Sequence, residues 1–380
     1  MSVGELLQRA VAGGVAPGLV GMVVDRDGIV LEEAAGGAGP DTVFRIASMT
    51  KAMTSVAALQ LVESGELELE QPVADVVPAF GELQVLDGFD GDTPRLRPPA
   101  RPATIRHLLT HTSGLGYVFA SEELVRWHEL TGTPTILTGR RASIDLPLLH
   151  DPGERWTYGV STDWLGQVVE AATGQSLEDR LRERVWGPLD MPETTFYPSE
   201  EQRARQIPLV MRTPDGGVAP LDLDEGEPEF ASGGGGSYST PRDYARFQRA
   251  LLRGGELDGE RILRPETVDE MFTDHLRGAP IPEVMRSSAP ELTNDVPRLP
   301  FAQGWGLGLH VVLEDVPGMR RAGTGDWAGL FNCYYWLDRT TGIGGMLMAQ
   351  LLPFFDARVI ETLLGFEAAV YASVGSAATA

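Results

Sequence analysis

The strand-forming runs of this 380-residue sequence lie at its two ends, and that separation limits the folds open to it. Near the start, GLVGMVVDRDGIVLEEAAG (18–36) reads as two β-runs joined at Asp25-Arg26-Asp27-Gly28, a hairpin turn. Strand signals return only in GWGLGLHVVLE (304–314), GLFNCYYWLD (329–338) and GIGGMLMAQLL (342–352). An isolated hairpin is marginal in water, so the two terminal sections are expected to share one antiparallel sheet of about five strands. Amphipathic runs at 3–13 and 355–373 supply helices to cover it. The middle is helical in period at 104–111, 121–130, 161–173, 176–186, 241–253 and 265–272, and 48–65 spreads its apolar residues too widely for one face, predicting a helix buried on most sides. Stretches rich in Pro, Gly and Asp at 84–103, 208–236 and 276–300 read as long surface loops. The pattern predicts an α+β fold over 1–380, with 1–60 and 301–380 forming an α/β subdomain, 61–300 a mostly helical one, and a site in the cleft between them.

A formal net charge of −23 argues against a nucleic-acid partner or an anionic membrane surface, both of which need a basic face. No apolar stretch approaches the roughly 20 residues that span a bilayer, and the N-terminus lacks a basic start followed by a long apolar run, so the expected location is cytoplasmic. One cysteine, Cys333, excludes an intrachain disulfide and a cysteine metal site, and its neighbours mark it as a core residue. The Asp25–Gly28 turn resembles a calcium loop only at its start, because Gly36 stands where a bidentate Glu is required. Oligomeric state has no signature in the sequence.

Thirty of the thirty-one basic residues are arginine, and the single lysine is Lys51, in IASMTKAMTS (46–55). Ser48 stands three residues before it, at a predicted helix start, which puts amine and hydroxyl on one face. First-turn backbone N–H groups and the positive end of the helix dipole favour an oxyanion there. A lysine amine becomes a base only if burial or another cation brings it down from about 10.4, and arginine stays protonated in proteins. Two readings stand at this point: an incidental pair, since Ser-x-x-Lys recurs by chance, and a nucleophile with its base.

Other constellations are weaker. No Gly-x-Ser-x-Gly elbow occurs. His107 and His111 have the spacing of a zinc pair but no Glu follows His107 and no third ligand is evident, which favours helix capping and packing. ASGGGGSYSTPRD (231–243) lacks the lysine of a phosphate loop and reads as a flexible turn before a helix capped by Thr240 with Pro241 at its first position.

Four collinear segments, FRIASMTKAMTSVAALQLVESGELELEQPV, TIRHLLTHTSGLGY, DPGERWTYGVSTDWLGQVVEAATG and AGTGDWAGLFNCYYWLD, resemble the serine β-lactamase and penicillin-binding-protein superfamily, and within it the family VIII carboxylesterases. The resemblance implies a β-lactamase/DD-peptidase-like fold with Ser48 as acylated nucleophile and Lys51 as its partner. It makes Tyr158 the tyrosine of the Tyr-x-Asn motif, with Val160 at the Asn position. It aligns Trp327-Ala328-Gly329 with the Lys-Thr-Gly motif, as in the Trp-Gly-Gly of the esterases, and places the second oxyanion donor at the backbone N–H of Leu330, beside that of Ser48. Trp327 and Val160 offer neither the cation nor the amide that a β-lactam uses, so esters suit the pocket and β-lactam turnover is expected to be weak or absent. Tyr117, Phe119 and Phe331 complete the expected substrate walls with Trp327, Gly329 and Val160.

The implied activity is hydrolysis of small neutral esters through a Ser48 acyl-enzyme with Lys51 and Tyr158 as acid–base pair, without metal or organic cofactor. Which of the two is the resting base stays open, as do acyl length and stereochemistry. The alternatives are an acyltransferase using the same acyl-enzyme, similar to the statin side-chain transferases, and a D-amino-acid peptidase.

Overall fold

The computed structural model describes residues 1–223 and 226–377. Among these, the main sheet has seven strands rather than about five: β1 (Gly18–Asp25), β2 (Ile29–Gly36), β3 (Gln303–Trp305), β4 (His310–Val312), β5 (Gly325–Gly329), β6 (Cys333–Asp338) and β7 (Ile343–Met348). They lie side by side in the order β3-β4-β5-β6-β7-β1-β2, and every pairing is antiparallel. Two differences make up the count. GWGLGLHVVLE folds back on itself at Gly306 and Gly308, whose φ of 96° only glycine takes easily, giving β3 and β4 instead of one strand. GDWAG is too short and too glycine-rich to show alternation, yet it pairs on both sides as β5.

The central strands are apolar on both faces because both faces are covered. Along β1, Leu19 and Val23 join Trp336, Leu347 and Phe366 beneath the terminal helices α1 (Val3–Ala12) and the long C-terminal helix (357–377). The alternate residues Val20, Met22 and Val24 join Tyr335, Leu337 and Met346 in the larger core on the other face. That core is built on α2 (Thr50–Ser64), in which eleven residues are buried, as the spread of its apolar positions predicts. Four further helices pack around it or cover the sheet: α3 (Ile105–Leu109), α4 (Ser161–Thr173), α5 (Pro241–Leu252) and α6 (Ala357–Ala377), the last being the C-terminal helix. Capping follows the sequence signals. Ser2 and Glu5 form a capping box on α1, Thr240 accepts from Asp243 N ahead of Pro241 in α5, and α2 ends at Gly65 with φ 79°.

The segments expected as loops carry short strands. Residues 85–90 and 93–97 form a hairpin across Gly91-Asp92, a two-residue turn of hairpin type that the surrounding prolines and acids obscure in the sequence. Val210–Arg212 pairs with Val218–Pro220, and Val284–Met285 with Val296–Pro297. Residues 224 and 225 of the loop expected over 208–236 lie outside the described residues. The run at 176–186 is α-helical over Leu177–Leu181 and widens into a π-turn over Arg182–Trp186. At the β1–β2 turn, Asp25 Oδ1 accepts from the amides of Asp27 and Gly28, a local use of the carboxylate that needs no cation. Among the described residues no helix is long and apolar enough to cross a membrane.

His107 has the capping role expected of it. Its Nδ1 accepts from Thr104 N at 3.1 Å, while its own amide donates to Thr104 Oγ1. Burial holds this imidazole at about 4, below its ordinary 6.5. A base held below its unfolded value leaves the unfolded chain to take up the proton first, so its contribution is present above about 6.5 and lost as pH falls towards 4. His111, His150 and His275 are lowered by burial and act in the same direction. Urea titrations at pH 7, 5.5 and 4.5 should therefore show falling stability, with a shallower decline in His107→Gln.

Candidate active site

Ser48 sits in a single 3-10 turn, Ala47–Met49, that runs directly into α2. Ala47 holds φ 44°, a left-handed conformation that costs a non-glycine residue of order 1 kcal/mol and persists only where the surroundings impose it. Three segments do so. Ile46 N donates to Ser237 O, Thr50 Oγ1 donates to Ala47 O, and Tyr244 OH from α5 donates to Met49 O. From the sheet side, Gly329 at the end of β5 presses against Ile46, close enough that a Cβ there would lie 2.3 Å from Ile46 O. First-turn amides have no intrahelical acceptor, so the Ser48 N–H is one of the unpaired donors of this turn.

Tyr158 OH donates to Ser48 Oγ at 2.7 Å, and Lys51 Nζ lies 3.0 Å from the same oxygen. Lys51 is 1% exposed, and its amine is surrounded by Ser48 Oγ, Tyr117 OH at 3.0 Å and Gly234 O. The amine also lies over the rings of Tyr158 and Tyr117, at 4.8 and 5.2 Å from their centroids. Trp327 Nε1 donates to Tyr158 OH at 3.1 Å. Tyr158 is boxed by aromatic rings: Tyr117, Trp327 and His111 within about 5 Å and Trp156 stacked at 6.1 Å.

Behind Lys51 stands Asp163, on α4 and fully buried. Its carboxylate accepts from Ser232 Oγ and Gly234 N and faces Tyr117 OH at 3.5 Å. Burial raises the Asp163 carboxyl above its ordinary value, against the opposing pull of Lys51 and those hydrogen bonds. Burial, and next the Asp163 charge, pushes the Tyr117 phenol well above 10. Burial, with Lys51 next to it, holds His111 well below 6.5, so this imidazole is neutral.

The SGGGG segment is therefore a wall of the site as well as the turn before α5. Gly234 supplies the carbonyl that meets Lys51, and a Cβ on it would lie 2.2 Å from Asp163 Oδ2. Asp163, Gly234 and His111 were not legible as site residues. A buried Asp inside the apolar run STDWLGQVV was the one available signal.

The turn opens into a cavity of about 1260 Å³. Ser48, Tyr117, Phe119, Tyr158, Trp327, Leu330 and Phe331, all expected at the site, line it. Lys51 lies behind this surface, in contact with Ser48. Two expected wall residues do not line it. Val160 is 1% exposed in the main core, because Gly159 passes so close to Leu115 that the chain turns Val160 inward as the cap of α4. Gly329 serves the close packing against Ile46 described above. Tyr117 is more than a wall, since its hydroxyl meets Lys51.

Residues 4–369 match the Beta-lactamase family. The chain belongs to the beta-lactamase family. A lovastatin esterase from Penicillium rubens is 35% identical over 344 residues, which covers 85% of this chain and 83% of the relative. A monacolin J acid methylbutanoyltransferase from Aspergillus terreus is 33% identical over 348 residues, covering 87% and 82%. Among solved structures, simvastatin synthase from Aspergillus terreus is similar with a TM-score of 0.86 at 30% identity, covering 98% of this chain and 97% of that one. This beta-lactamase-family chain is thus a serine hydrolase of the group whose members include esterases and acyltransferases.

The packing of Gly329 can be tested. A Cβ at this position meets backbone, which cannot step aside as a flexible side chain can, so Gly329→Ala should displace the Ile46–Ser48 turn. Labelling of Ser48 by a fluorophosphonate, followed by intact mass, should slow roughly 10- to 100-fold, the cost of an ångström-scale misplacement, with far-UV circular dichroism unchanged.

Proposed function

We propose that Ser48 attacks apolar carboxylic esters to form an acyl-enzyme, with Lys51 as the base and Tyr158 as the acid, and that water or an alcohol then releases the acyl group. The observation that carries this reading is the convergence of Tyr158 OH and Lys51 Nζ on Ser48 Oγ, at 2.7 and 3.0 Å, in a turn that opens into the large cavity. In acylation the Ser48 proton passes to the Lys51 amine as Oγ bonds to the carbonyl carbon. The Ser48 and Leu330 amides face the oxyanion. The bond to the leaving oxygen then breaks, and that oxygen takes the Tyr158 proton. In deacylation the attacking water gives a proton to the Tyr158 oxygen, the acyl–Oγ bond breaks, and Lys51 returns its proton to Ser48. Each group ends as it began.

The cavity changes the expected substrate. A volume of about 1260 Å³ exceeds the roughly 300–1,000 Å³ of ordinary ligand sites, so bulky esters fit it better than small ones. Its aromatic and aliphatic lining next to Ser48, including Phe119, Phe230, Leu330 and Phe331, favours apolar groups. Such space also holds an acceptor alcohol beside the acyl group, which supports the acyltransferase reading, and relatives bearing both esterase and acyltransferase names fit one acyl-enzyme with two possible acceptors. Trp327 puts no cation where a β-lactam or peptide carboxylate would need one, so turnover of both should be weak.

Intact mass after treatment with an activated ester should show one acyl adduct that Ser48→Ala abolishes. Lys51→Arg should lose roughly 10²- to 10⁴-fold in acylation rate, because its cation cannot accept a proton. Retained rate in that variant would count against Lys51 as base. Adding alcohols of increasing size should yield new ester in place of free acid if transfer is the main activity.

A further inference from the structure

Tyr158 has a proton to deliver, and its direction is fixed by hydrogen-bond arithmetic. A phenol oxygen carries one hydrogen, which lies near the ring plane in either of two positions, and accepts in the direction it leaves free. Among the described residues, the side-chain partners of this oxygen are Ser48 Oγ at 2.7 Å and Trp327 Nε1 at 3.1 Å. An indole nitrogen is a donor only, so the side facing Trp327 must accept. The Tyr158 hydrogen is left with the Ser48 side.

We infer that Trp327 is a positioning residue whose indole N–H aims the Tyr158 proton at Ser48 Oγ and the leaving oxygen, and that it keeps a hydrogen bond on the Tyr158 oxygen once the proton has gone. This rests on the acyl-enzyme reading above. The indole is itself held for the task. Strand β5 presents Trp327 opposite Tyr335 of β6, and Trp305 meets its ring edge-on at 4.6 Å and 80°. Among the described residues no other donor takes its place: Lys51 Nζ lies over the Tyr158 ring, and the neutral His111 packs against that ring. A purely apolar wall would call for the ring of Trp327 but not for its N–H.

The test separates proton delivery from packing. Two esters of one acid are compared: p-nitrophenyl butyrate, whose leaving group departs without a proton, and ethyl butyrate, whose alkoxide needs one. In Trp327→Phe, which keeps a ring and removes the donor, kcat/KM for the ethyl ester should fall about five- to tenfold more than for the p-nitrophenyl ester. Both are measured on one preparation, so loss of folded enzyme scales both rates and leaves the ratio unchanged. Trp327→Leu, which also lacks the donor, should shift the ratio in the same direction if the Phe variant does not fold. Tyr158→Phe should show a larger selective loss, and adding Trp327→Phe to it should not change the ratio further. An unchanged ratio in the Trp327 variants, or the same shift with Tyr158 already removed, overturns the inference. If Tyr158→Phe itself shows no selectivity between the esters, the role of Tyr158 as acid fails instead.

Discussion

Burying one amine governs how the rest of this site is built. Taking an amine out of water is costly unless its polar hydrogens and nitrogen find partners, and Lys51 is 1% exposed on a helix with eleven buried residues. Its three polar partners come from three parts of the chain: Ser48 from the turn that leads into its helix, Tyr117 from the stretch after α3, and the Gly234 carbonyl from the glycine loop. The Gly234 carbonyl in turn is held in place because Asp163 binds the Gly234 amide and Ser232. Gly233 and Gly234 follow from this, since the backbone there approaches Thr162 and Asp163 more closely than a Cβ permits.

A second consequence concerns which oxygen can move a proton. Tyr117 and Tyr158 lie side by side, yet their surroundings differ. Tyr117 faces a buried carboxylate and is held in its protonated form, whereas Tyr158 faces Ser48 and the open cavity. On the proposed mechanism two like groups are thus set to different tasks by what stands behind them, the same principle by which paired carboxylates divide acid and base roles elsewhere.

Most of the architecture was legible because it rests on periodicity. The buried runs of β1, β6 and β7 and the all-round burial of α2 follow from patterns that survive averaging over several residues. What escaped was short or broken by glycine: β5, the β3–β4 fold-back and the hairpin at 85–97. At the site, Ser48 and Lys51 were visible as a spaced pair, while Tyr158 and Trp327 entered through resemblance. Val160 misled because its sequence position suggests the pocket, but the tight passage of Gly159 turns it into the core. Asp163 was hidden because a carboxylate's partners, here an amide and a hydroxyl about seventy residues on, leave no local trace.

Strand β1 pairs with β7, so Val20 stands opposite Met348, and the turn that carries Ser48 is braced by Ser237 and Gly329. Contacts this distant along the chain close late, after the loop entropy between them has been lost. During synthesis the segment holding Ser48 and Lys51 leaves the ribosome long before Ser237, Tyr244 and Gly329, and the strained turn at Ala47 lacks its full set of braces until β5 arrives. On the proposed mechanism the site is geometrically complete only once β5 joins the sheet, which ties completion of the fold to the onset of chemistry.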